Sequence, residues 1–127
     1  MLISRETDYA IRIFRELSKT TKSSVTQICE IEDVPKPFAY KILKKLQKQG
    51  YVNIHRGKEG GCELIANLDD ISLFDLLDAL DSTEYVNACL KPNHECEKSD
   101  TCIVHKNLCV IQNSVNEKLK ETPLSTL

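Results

Sequence analysis

The chain has 127 residues, 41% of them apolar, and a net charge of −2 at neutral pH, enough for one domain or one small domain with an appendage. No run approaches the roughly 18 apolar residues that a membrane span needs, and the start, MLISRETDYA, lacks the charged and apolar regions of a secretory leader. The expected setting is therefore the cytosol, where six cysteines point to metal binding or redox chemistry rather than disulfides.

In chain order, Ser4 can cap a first helix whose Ala10, Ile13, Phe14 and Leu17 recur at the spacing of one buried face. KTTKSS, residues 19–24, is a polar connector. Ser24 and Gln27 form a capping-box pattern that starts a short second helix through Val25, Ile28 and Ile31. Cys29 falls among these apolar residues and reads as core. Pro37 fits the opening of a third helix, with Phe38, Ile42 and Leu46 inward, Lys41, Lys44, Lys45 and Lys48 outward, and Gly50 as its stop. Two strand-like runs, YVNIHR and CELIA, meet at Gly57, Gly60 and Gly61 and predict a hairpin. Cys62 reads as a half-buried strand residue in it, and His55 as a solvated one. DDISLFDLLDALD predicts an amphipathic helix with Leu73, Leu76, Leu77 and Leu80 inside. A final helix carries Val104, Leu108, Ile111, Val115 and Leu119 on one stripe.

Charge divides the chain. Residues 1–66 carry 12 Lys/Arg against 8 Asp/Glu, and residues 67–127 carry 5 against 11. Residues 36–58 hold seven Lys/Arg and no acid, a localised footprint for a polyanion. Helix, helix, basic helix and hairpin is the order of a winged helix-turn-helix, whose second basic helix enters the major groove of double-stranded DNA. The expected fold is thus mostly α with a small β-hairpin wing, followed by a long C-terminal dimerisation helix. Residues 1–82 would form the DNA-binding part, and 83–127 a cysteine loop with that helix. An apolar stripe without an internal partner implies a homodimer, and a two-fold dimer matches a pseudo-palindromic operator.

The cysteine loop carries the most chemistry. Cys89, Cys96, Cys102 and His105 are spaced C-x6-C-x5-C-x2-H in a polar segment that could not build a core. Several soft ligands with little apolar surface suit a metal centre. If the final helix begins near Cys102, His105 shares its face.

The pieces ISRETDYAIR, VPKPFAYKILKKLQKQGYV, RGKEGGCEL and ISLFDLLDALD, then the cysteine loop and long helix, resemble the IscR/NsrR family of iron–sulfur and related winged-helix regulators. The resemblance covers nearly the whole chain. It implies a homodimeric transcription factor, most members being repressors, whose long C-terminal helices cross. It implies that Cys89, Cys96 and Cys102 bind a [2Fe-2S] or [4Fe-4S] cluster, one per subunit, and that cluster loss, oxidation or nitrosylation changes the fit to DNA. The family's usual first cysteine gap is x5, and here it is x6. His105 stands where IscR-like members carry a histidine ligand. Asp8 stands where some NsrR-like members bring an aspartate from the partner subunit, although an ion pair with Arg12 is its plainer use. Cys109 is a third candidate ligand, with a small buried residue as its plainer reading. Arg56, before Gly57, matches a wing arginine that reaches into a minor groove.

On the reading helix, Lys36 and Lys44 suit phosphates, and Tyr40 and Lys41 suit base edges. Gly60 and Gly61 let the hairpin turn tightly near the DNA backbone. The rival reading is a cluster-free regulator that uses zinc or cysteine thiols as its sensor. An electron carrier would show tighter C-x2-C repeats, and no catalytic constellation is recognisable.

Overall fold

In the computed structural model, which describes residues 2–127, Ser4 caps helix α1 (Arg5–Leu17) by accepting a hydrogen bond from the Thr7 amide. Ser24 and Gln27 close a reciprocal capping box on α2 (Val25–Glu32). Helix α3 (Lys36–Lys48) starts one residue before the proline expected to open it. Pro35 is the N-cap, and Pro37 lies in the first turn, where a missing N–H costs nothing. The helix ends in a Schellman turn. Gly50 takes φ +78°, and the Tyr51 amide reaches back to the Leu46 carbonyl at 3.0 Å.

Strands β1 (Val52–His55) and β2 (Gly61–Leu64) pair antiparallel as a two-stranded hairpin, with Ile54 opposite Cys62. Helix α4 (Leu73–Ala79) follows, capped by Ser72 and Asp75. Residues 81–102 then run through turns, including a 3-10 turn at Ala88–Leu90, and none of them is buried. Helix α5 (Ile103–Lys120) leads back to the body. There the Leu73 amide donates to the Thr122 carbonyl at 2.8 Å, and Leu124 joins the core.

The core lies between α1, α2, α3, the hairpin and α4. Phe14, Ile13, Leu17, Ile28, Ile42, Leu43 and Leu46 are all essentially sealed from solvent. Fully burying each such side chain stabilises by roughly 1.5–3 kcal/mol relative to exposure. One inward assignment is corrected: Phe38 is 42% exposed, and Ile31 on α2 is exposed as well. Ala39 and Leu43 take the inward places with Ile42 and Leu46, because fully buried Ala39 leaves α1 room to pack closely. Phe38 instead lies edge-on against Tyr9, ring centroids 5.5 Å apart. Cys62 is fully buried rather than half-buried. Lys45 does not project freely outward, since it is held by Glu6 at 3.0 Å and by the Leu80 carbonyl at 2.7 Å.

One ion pair ties α1 to α2. The Arg15 guanidinium forks onto the buried Glu32 carboxylate, its Nε lying 3.1 Å from Oε1 and its Nη2 touching Oε2. Lys19 adds a contact at 3.8 Å. Hydrogen bonding from Arg15 outweighs burial and holds the Glu32 carboxyl below its ordinary value. A lowered folded-state value stabilises above the ordinary carboxylate range and is lost as pH falls through the lowered one. Acid unfolding is therefore expected to be less steep in Glu32→Gln, which is also less stable at neutral pH. Chemical denaturation at a series of pH values checks both.

The long helix is half partnered. Leu119 and Gln112 are buried against the body, while Ile103, Val104, Val110 and Ile111 are at least half exposed. The stripe expected along one face thus splits: Leu119 joins the fold, Leu108 and Val115 are half-buried, and Val104 and Ile111 stay open.

Candidate nucleic-acid interface and metal centre

The α2 N-terminus, the outer face of α3 and the hairpin enclose an open groove of about 630 Å³. It gathers five of the seven residues expected at a nucleic-acid interface: Tyr40 and Lys44 from α3, and Arg56, Gly60 and Gly61 from the hairpin. Lys36 and Lys41 are exposed on the same helix but outside this lining. Lys41 Nζ is 3.9 Å from Glu6. Thr26 and Gln47 also line the groove, and sequence reasoning missed both. Their signals were there: Thr26 follows the capping serine by two, and Gln47 lies one helical turn beyond Lys44.

Backbone packing explains the hairpin's glycines. A Cβ on Gly60 would stand 2.5 Å from the His55 carbonyl oxygen and 2.7 Å from that of Gly57. Gly57 itself has φ +101°, a region that disfavours any side chain. The connector before α2 clamps this hairpin. Ser23 and Cys62 exchange backbone hydrogen bonds of 3.0 and 2.6 Å, and Lys22 donates to the Glu59 carbonyl. Across the strands, His55 Nε2 meets Glu63 Oε2 at 3.0 Å. Arg56 and Lys44 are exposed, and among the described residues neither has an acidic partner within 4.0 Å. Two unpaired cations facing one groove suit a polyanion.

The cysteine segment is built differently. Cys89 sits in the 3-10 turn, where its amide donates to Asn87 Oδ1 at 3.1 Å. Cys96 is exposed. Cys102 is the N-cap of α5, its Sγ accepting from the His105 amide at 3.5 Å. One turn further, His105 Nε2 lies 3.6 Å from Cys109 Sγ. All four of these thiols are free, and Cys109 is half-buried rather than buried. Cys29 and Cys62 are also free but lie in the core, where burial pushes both thiols up and makes them inert.

Among the described residues, no three His, Cys, Asp or Glu side chains converge closely enough to hold a metal ion. Asp8 pairs with Arg12 at 3.0 Å, and the cavity beside it is lined by no residue of the cysteine segment. His94 is exposed. The donor chemistry of Cys89, Cys96, Cys102 and His105 nonetheless fits an iron–sulfur cluster, because soft thiolates suit iron. The segment's bonds are short-range turns such as Cys102 N–H to the Lys98 carbonyl, 2.9 Å. A stretch with no buried side chain belongs to the low-stability end of a fold, so rearranging it to gather the sulfurs costs little.

Residues 3–127 match the Rrf2 family model, described as an iron-dependent transcriptional regulator. A protein of Aquifex aeolicus (strain VF5), provisionally named an HTH-type transcriptional regulator, is 25% identical over 100% of this chain and 91% of its own length. The HTH-type transcriptional regulator NsrR of Bacillus subtilis (strain 168) is 27% identical over 87% of this chain and 70% of its own. Among solved structures, T. potens IscR superposes with a TM-score of 0.71 at 20% identity, covering 98% of this chain and 84% of that one. CymR, the global cysteine regulator of B. subtilis, superposes at 0.72 and 22%, covering 98% and 94%. Among the described residues, no helix is long and apolar enough to cross a membrane.

Proposed function

This chain belongs to the Rrf2 family of DNA-binding transcriptional regulators, and from that premise we propose that it is a homodimeric repressor whose DNA affinity is set by an iron–sulfur cluster. The family regulates transcription and does not catalyse reactions. The observation that carries the cluster reading is the set of three free thiols, Cys89, Cys96 and Cys102, in one segment without a buried side chain. These residues would hold the cluster, with His105 as fourth ligand and Asp8 as the alternative. When bound, the cluster supplies a redox-active centre sensitive to oxygen, nitric oxide or iron–sulfur supply. Cys102 caps α5 in the same structure, so ligand and helix start are one residue.

The open apolar face of α5 is read as the contact with a second copy. A two-fold axis through it would place two α3 helices on the two halves of a pseudo-palindromic operator. Tyr40 would read base edges and Lys44 a phosphate, Lys36 and Lys41 lying beside them on the same helix. Lys44→Ala is then expected to weaken all duplexes alike and to flatten the log–log salt dependence of binding by about one unit. A gel-shift titration at several salt concentrations checks this. A loss confined to one base position would contradict it.

The fourth ligand is tested by spectrum. His105→Ala is expected to shift the visible absorption of anaerobically purified protein, and Asp8→Ala to leave it unchanged. The reverse pattern would move the assignment to Asp8, and no shift in either would remove both.

One observation favours a second reading. The sulfurs do not converge in this conformation, as a cluster-free regulator sensing through its thiols would allow. In that case purified protein is colourless, and alkylating the segment's thiols alone alters DNA binding.

A further inference from the structure

Lys45 is the one lysine of α3 that is not exposed, and it turns into the body of the protein. Its Nζ lies 2.7 Å from the Leu80 carbonyl and 3.0 Å from Glu6 Oε1. Leu80 is the C-cap of α4, so that carbonyl has no partner within its own helix, and beside the lysine it accepts only a longer bond from the Ser82 hydroxyl at 3.3 Å. An ammonium there satisfies it and suits the negative end of the helix. The chain leaves α4 at this point, passes Asp81 at φ +54°, and runs toward Cys89.

Six residues later a second clasp holds the same stretch. Buried Gln112 of α5 accepts a hydrogen bond from the Val86 amide at 2.8 Å and donates to the Glu84 carbonyl at 3.4 Å. Its amide is oriented in turn by Asn116 at 3.0 Å. Residues 80–86 are therefore tied to α3 at one end and to α5 at the other. Both clasps are side chain to backbone, so they track the position of the chain rather than the identity of its side chains. Neither Lys45 nor Gln112 contacts the groove.

We propose that Lys45 is a positioning residue that couples α3 to the cysteine segment, Gln112 holding the far end of the link. Movement of residues 80–86 shifts the Leu80 carbonyl and, through Lys45, the seating of α3. By linkage the effect runs both ways: DNA on α3 steadies residues 80–86, and rearrangement of the cysteine segment alters DNA affinity. The proposal rests on the DNA-binding reading but not on the cluster.

The test uses the full-length, cluster-free chain and a palindromic duplex selected from a random pool for binding to it. Amide hydrogen exchange is followed at residues 80–86 with and without that duplex, in the parent, Lys45→Met and Lys45→Arg. The expected result is slower exchange there on DNA binding in the parent, loss of that difference in Lys45→Met, and its retention in Lys45→Arg. A purely structural role would raise exchange with and without DNA alike and leave the difference standing. No DNA-dependent change in the parent, or an undiminished one in Lys45→Met, would overturn the coupling. Because no cluster is present, failure of the cluster reading cannot mimic either outcome.

Discussion

On the proposed cluster reading, Cys102→Ser is expected to purify without iron and keep its fold. The substitution separates the observed cap of α5 from the proposed ligand role. As N-cap of α5, Cys102 accepts a hydrogen bond from the His105 amide, and serine is among the best residues for that place. As the proposed ligand it would supply a soft thiolate, which a serine oxygen does not replace at an iron–sulfur centre. Helix content and unfolding midpoint should therefore stay close to the parent's, with a stability change within about 0.5 kcal/mol. Iron and acid-labile sulfide should fall to near background. Cys102→Ala should lose the iron and the cap together, with a further destabilisation of about 1 kcal/mol. Iron retained at parental level in the serine protein would remove Cys102 from the ligand set.

Arg56→Ala is expected to weaken operator binding by about 10- to 100-fold, or roughly 1–3 kcal/mol. Arg56 follows β1 directly, on the groove wall opposite α3. It is exposed and without an ion-pair partner among the described residues, so its loss exposes no buried charge. Gly57 and Gly60 fix the turn that follows it, through a positive φ and a contact too close for a side chain. A rigid hairpin presents an arginine with little ordering cost on binding, and narrow minor grooves attract such a cation. The unfolding midpoint should not move. Unchanged affinity would place the hairpin outside the interface.

Local signals carried most of the fold. Ser4, the Ser24/Gln27 box, Gly50 and the Gly57–Gly61 turn act within a few residues of themselves, and each element they mark is present. Errors arose where distance along the chain mattered. On α3 the helical period allowed two inward stripes, one with Phe38 and one with Ala39. Only the close approach of α1 selects the smaller residue. Lys45 looked like its neighbouring lysines because Glu6 and Leu80, its partners, lie 39 and 35 residues away. Gln112 gave no local signal, since its partner is a backbone 26 residues earlier.

The candidate sites divide the same way. Tyr40, Lys44, Arg56, Gly60 and Gly61 were legible as a group because helix and hairpin geometry brings them to one groove. The cysteines were legible as chemistry but not as a constellation. Their segment has no buried side chain to fix it, and the sulfurs do not converge within it among the described residues.

The most direct measurement is an anaerobic purification with a visible absorption spectrum and a count of iron and sulfide per chain. A brown or red protein with equal iron and sulfide, two or four of each, is the expected result, and its loss of colour in oxygen or nitric oxide should change operator affinity. A colourless protein that takes up no iron on anaerobic reconstitution would contradict the cluster. It would leave a DNA-binding Rrf2 regulator that senses through zinc or thiols.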